Sequence, residues 1–166
     1  MPEIIFDCCV LSNFALSDTL WIIENLYSGK AYLTDLVKVE AIRGIQNRHG
    51  KLGAITIALD EGWIKEVFVK RKSEKKFFEK LSVSLGAGEA SSIAFAKTRG
   101  IVFASDDKAA RNEAALVCVS LTGTIGILLK ASKKKIISLP QGNQILKAMV
   151  RNGFYCPIKS FSDLNK

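Results

Sequence analysis

A chain of 166 residues, 48% hydrophobic and with only three prolines, has the length and composition for one packed core and is unlike a disordered tail. No apolar run approaches the roughly 18 residues needed to cross a bilayer, so no membrane association is expected. The excess of 24 basic over 16 acidic residues, net +8, favours polyanionic partners through counterion release.

From the N-terminus, residues 3–7 read as a short buried strand, Ile4-Ile5-Phe6, closed by Asp7. Glu3 and Asp7 stand where a secretory signal would be basic, so none is expected. Apolar residues at Leu11, Phe14, Ala15, Leu20, Ile23, Leu26 and Tyr27 give a broken helical period over 10–27. Ser17-Asp18 should cap its second half and Gly29 should end it. Ala31-Tyr32-Leu33 is a second strand, and Thr34 or Asp35 caps a helix to about Asn47 that carries Glu40. A helix over 52–59 and a strand within 63–69 follow. Ser73 is expected to cap a charged amphipathic helix ending near Leu81.

Gly86-Ala87-Gly88 precedes a helix over 89–98 that Glu89 opens; without a following Lys-Ser/Thr it is not a phosphate loop. A strand over 101–105 leads into Asp106-Asp107 and a helix, and Leu116-Val117-Cys118-Val119 reads as a further strand. Thr122-Gly123-Thr124 opens a helix over 125–132, and Pro140 begins the last helix, to Arg151, with Gly153 ending it. Alternating strands and helices, with no repeat or linker, predict a single α/β domain over 1–166 with a parallel sheet covered on both faces.

Cys8 and Cys9 are adjacent while Cys118 and Cys156 are distant, which is neither ligand spacing nor a disulfide framework. Buried thiols in a reducing cytoplasm are expected. A single histidine, His49, excludes a His-rich zinc site and argues against a Ser-His-Asp triad.

The chemistry rests on Asp7, Glu40, Glu89, Asp106 and Asp107. Each acid has a structural reading: Asp7 as a helix cap, Glu40 on an exposed stripe with Arg43, Glu89 complementing a helix dipole, and the Asp pair as a cap plus a first-turn acid. Together they point elsewhere. In a parallel sheet, sites form at the carboxyl ends of the strands, and carboxylates gathered there repel unless a hard divalent cation, Mg²⁺ or Mn²⁺, neutralises them. Arg111, one turn beyond the Asp pair, either pairs with one of them or reaches a phosphate. The hydroxyls of 122–124 either cap the helix or touch nucleic acid. The runs Lys70-Arg71-Lys72 with Lys75-Lys76, and Lys133-Lys134-Lys135, are either solvated surface or a grip on a polyanion backbone.

Several segments in this order resemble the PIN-domain family, in its compact prokaryotic branch related to VapC-type toxins. They are Ile-Ile-Phe-Asp-Cys-Cys-Val-Leu-Ser-Asn-Phe at 4–14, Val37-Lys38-Val39-Glu40, Gly88-Glu89-Ala90-Ser91-Ser92-Ile93-Ala94, the stretch from Ala104 to Arg111, and Thr122 to Leu129. The resemblance covers residues 3–153. It implies a three-layer α/β/α sandwich with a central, mainly parallel sheet, and a Mg²⁺- or Mn²⁺-dependent endoribonuclease. By position, Asp7, Glu40, Glu89 and one of Asp106 or Asp107 match the family's acidic quartet, as metal ligands and catalytic residues; Ser105, Arg111 and Thr122 are the expected substrate-binding residues. Cys9 departs from the pattern, standing where many members carry a small hydroxyl residue. Homodimers, and an antitoxin laid over the acidic pocket of toxin members, are implied in the same way. The alternative is a metal-free RNA-binding or protein-interaction module on the same fold. A phosphotransfer site of the Asp-x-Asp type is disfavoured, because Cys8 and Cys9 follow Asp7.

Overall fold

Ile4-Ile5-Phe6 is apolar throughout because strand β1 (Ile4–Phe6) has no solvent face: all three side chains are fully buried. Successive residues of a strand point to opposite faces, so Ile4 and Phe6 enter one apolar cluster and Ile5 another. In the computed structural model, which describes residues 1–158, Ser160 and Phe161, β1 is the middle strand of an all-parallel sheet. The others are β2 (Ala31–Thr34), β3 (Ile64–Val67), β4 (Val102–Ala104) and β5 (Leu121–Thr122), in the order β3-β2-β1-β4-β5.

Helices α1 (Cys8–Leu16), α2 (Trp21–Tyr27), α3 (Asp35–Gln46), α4 (Gly53–Asp60), α8 (Thr124–Lys133) and α9 (Leu139–Arg151) supply the cluster that includes Phe6. Helices α5 (Lys72–Leu81), α6 (Ala87–Arg99) and α7 (Lys108–Leu116) supply the one that includes Ile5. The result is the α/β/α sandwich expected. Among the described residues, no helix is long and apolar enough to cross a membrane.

Three local expectations fail for identifiable reasons. Leu116-Val117-Cys118-Val119 is not a strand: α7 runs to Leu116, the chain turns through Cys118 in a left-handed conformation (φ 56°), and Leu121–Thr122 pairs with Phe103–Ala104 instead. Ser17-Asp18 does not cap α2, because Asp18 also adopts a left-handed turn (φ 57°) and the helix begins after Leu20. Ser73 does not cap α5; the carboxylate of Glu74 accepts the free amides of Lys70 and Arg71, each at 2.9 Å.

What positions a site is the order of the strands. The chain builds outward from β1 to β2 and β3, then crosses to the other side of β1 for β4 and β5. The reversal between β1 and β4 opens a crevice at the carboxyl ends of the strands. The Asp7 amide donates to the Ala104 carbonyl at 2.9 Å, which carries the β1–β4 ladder past the strand and sets Asp7 at that crevice.

Candidate functional site

Asp7 is 3% exposed and stands at the N-cap position of α1 without making a side-chain cap bond. Its Oδ2 instead accepts the Ser105 hydroxyl at 2.8 Å and the Cys9 thiol at 3.1 Å. Burial pushes the Asp7 carboxyl above its ordinary value, and these two donors, with the Cys8 and Cys9 amides, only partly offset that. Cys9 thus fills the place of a small hydroxyl donor. Burial, then the Asp7 charge, push its thiol strongly upward, so it stays a neutral donor; its sulfur also accepts the Asp106 amide at 3.4 Å. Ser105 is fully buried, so it holds Asp7 rather than touching a substrate as expected; its hydroxyl also accepts the Asp107 amide at 3.1 Å.

Glu40 reaches this end from α3 and Glu89 from the first turn of α6, where its Oε2 accepts the Gly86 amide at 3.1 Å. Gly88 lets the two meet. A Cβ there would lie 2.5 Å from Glu40 Oε1, so the Glu40 carboxylate rests directly on the α6 backbone. Both carboxyls are raised. Burial is the largest cause for each, followed by the Asp7 charge; for Glu89, Asp107 and Glu40 add to it. Gly88→Ala should therefore push Glu40 aside. Divalent-metal affinity is expected to fall roughly tenfold or more, while the melting temperature holds or rises with the better helix former. Parallel metal titration and thermal unfolding check both.

The neighbours Asp106 and Asp107 face different ways. Asp107 is exposed; its Oδ1 caps α7 by accepting the Ala110 amide at 2.8 Å, and its charge is felt at Glu89. Asp106 is turned toward α1 and α8. Its Oδ1 accepts the Thr124 amide at 2.9 Å, and its Oδ2 accepts the Thr124 hydroxyl and, at 3.1 Å, the Asn13 amide nitrogen. Asn13 also donates to Thr124 Oγ1 at 3.1 Å. Gly123 is required for this clasp, since a Cβ there would sit 2.5 Å from Asp106 Oδ1. Sequence reasoning passed over Asn13 and gave Thr124 no link to the acids. The available signal was the i,i+4 spacing of Cys9 and Asn13, which puts both on the face of α1 that meets the strand ends.

Arg111 joins neither aspartate in an ion pair among the described residues. Its Nη1 donates to the carbonyls of Ser105 and Thr122, at 2.7 and 2.8 Å, tying β4 to β5. Thr122 holds that clamp through its backbone, and its hydroxyl packs against Gly126. Parts of the basic runs lie away from the acids. Glu74 accepts the backbone amides of Lys70 and Arg71 at the start of α5 and also binds Arg99 at the far end of α6, ten residues and about 15 Å from Glu89. Lys30, Lys134 and Lys130 gather round the Met1 amino group, at the amino end of the sheet, and lower its pKa.

The Asp7 charge is thus felt at both Glu40 and Glu89, and those of Asp107 and Glu40 at Glu89, whereas Asp106 is satisfied elsewhere. As the side chains stand, no three described His, Cys, Asp or Glu residues converge to grip one ion. The donor set is nonetheless all carboxylate oxygen, which suits a hard divalent cation.

Among known proteins, the family model described as a PIN domain matches residues 3–165. The crystal structure of PAE2754 from Pyrobaculum aerophilum superposes with a TM-score of 0.57 at 16% identity, over 80% of this chain and 98% of that one, a likeness of fold. No curated protein matches the sequence.

Proposed function

Because the chain belongs to the PIN-domain family, whose members are generally metal-dependent nucleases, we propose that it hydrolyses RNA phosphodiester bonds with Mg²⁺ or Mn²⁺ held at its acidic end. The observation that carries this reading is the gathering of Asp7, Glu40 and Glu89 at the sheet's switch point, where the Asp7 charge is felt at both glutamates and that of Asp107 at Glu89. Buried like charges are costly to keep together unless a cation offsets them. Asp7, Glu89 and Asp107 would hold the ion and Glu40 would complete the set, directly or through water. When bound, the ion supplies Lewis-acid activation of water and stabilises charge developing on the phosphate.

The remaining groups position. Ser105 and Cys9 aim the Asp7 carboxylate, the Asp106 clasp with Thr124 and Asn13 fixes the start of α8, and Arg111 holds β4 and β5 at constant separation. Free cysteines throughout the described residues fit a reducing cytoplasm. The likeness to VapC-type toxins extends the proposal to a homodimer restrained by an antitoxin segment across the acidic end.

Thermal unfolding in EDTA, Mg²⁺ and Mn²⁺, run beside cleavage of single-stranded RNA, tests this. A ligand at 100 times its Kd adds about 2.7 kcal/mol, on the order of 5–10 °C for a chain of this size. Cleavage should appear only with metal. No shift and no cleavage at millimolar metal would replace the nuclease with a metal-free RNA-binding module.

A further inference from the structure

The space on the far side of Asp106 has no role in the acid chemistry. A cavity of about 480 Å³ lies along β5, the edge strand, between the start of α8 and the segment that follows α9. That is within the roughly 300–1,000 Å³ range of small-ligand pockets. Leu121, Ile125 and Phe154 give it apolar lining, and Asp106, Arg111 and Thr122 add polar groups. Tyr155 also lines it. Phe154 is 9% exposed and anchored in the core, whereas Tyr155 is 90% exposed, leaving its ring free beside the cavity.

We infer that this cavity receives one base of a single-stranded RNA, stacked on Tyr155, an inference that rests on the nuclease reading above and names how its substrate is held. A nucleobase has two apolar faces and a polar edge, which is the chemistry of this lining. Asp106 belongs to the cavity and is joined by a peptide bond to Asp107, so a strand whose phosphate lies at the acids has this cavity as its neighbour. Electrostatics leaves the task to stacking. The carboxylates repel a phosphate backbone, the Arg111 guanidinium is tied through Nη1 to two carbonyls, and Lys70, Arg71 and Lys134 lie toward the other end of the sheet. Base stacking on an aromatic ring needs no cation and tolerates any sequence.

Fluorescence anisotropy with a short, labelled, mixed-sequence single-stranded RNA in EDTA tests the inference. Tyr155→Ala should weaken binding roughly 5- to 150-fold, the equivalent of one stacked base. The slope of affinity against salt should stay unchanged, because no phosphate contact is lost. Tyr155→Phe should bind like the wild type. Wild-type affinity in Tyr155→Ala, an equal loss in Tyr155→Phe, or no RNA binding by the wild type would each overturn it. The two readings fail separately. Cleavage by a Tyr155→Ala protein that binds as tightly as the wild type removes the base site and keeps the nuclease; Tyr155-dependent binding without cleavage does the reverse.

Discussion

Asp7→Asn is expected to lower metal-dependent RNA cleavage by on the order of 10³-fold and, in the same protein, to raise the melting temperature measured without metal. Both follow from one buried charge. Asp7 is 3% exposed, and only the Ser105 hydroxyl, the Cys9 thiol and two amides favour its ionised form. Asparagine keeps an acceptor oxygen for Ser105 and Cys9 and removes the charge, along with its repulsion of Glu40 and Glu89. A gain of about 1 kcal/mol, or roughly 2–4 °C, is the expected scale.

The pH dependence carries the same sign. Folded Asp7, Glu40 and Glu89 hold protons more tightly than the unfolded chain does. Metal-free stability should therefore fall as pH rises from the ordinary carboxylate range through their raised values, and Asp7→Asn should flatten that slope. Full cleavage activity in Asp7→Asn would sink the metal-site proposal.

Glu74→Ala is expected to cost about 2–4 kcal/mol of stability. Glu74 is fully buried, yet burial does not decide its titration. The Arg71 and Lys70 amides at 2.9 Å and the Arg99 guanidinium at 3.0 Å outweigh it and hold the carboxyl below its ordinary value. Truncation would strand two helix-start amides and release Arg99, unfastening α5 from α6. The sign is opposite to that of the site acids. A lowered folded value gives stability that is complete above the unfolded value of 4.5 and is lost as pH falls through the folded one. Acid unfolding of wild type and Glu74→Gln, followed by circular dichroism, checks it: the acid-side loss should be shallower in the variant. An unchanged acid limb would show that Glu74 does not anchor these helices.

The sequence made the framework legible where one physical demand dominates. An unbroken apolar triplet means a strand with two covered faces, as in Ile4-Ile5-Phe6, and a proline beside a polar cap starts a helix, as at Ser138-Leu139-Pro140. It was misleading where the signal is too short or ambiguous. A two-residue edge strand such as β5 has no periodicity, so the apolar end of α7 took its place. Glu74 looked like one more charge on a lysine-rich helix, because its partner Arg99 lies 25 residues away. The candidate acids were visible as strand-end and helix-start carboxylates, but adjacent aspartates differ only in direction. That direction is set by Thr124 and Asn13, which lie 18 and 93 residues from Asp106. Arg111 was expected to face charge or phosphate; its choice of two backbone carbonyls depends on how β4 and β5 end.

The parallel pairing of β1 with β4 also sets a clock. Asp7 and the serine that aims it are 98 residues apart in the chain, and their strands cannot pair until both have left the ribosome. At roughly 5–20 residues per second, Asp7 is made about 5–20 s before the serine that completes its setting. Closing so long a loop is also among the slower steps of folding. A nascent chain therefore carries Asp7 without an assembled crevice until most of its length has been translated.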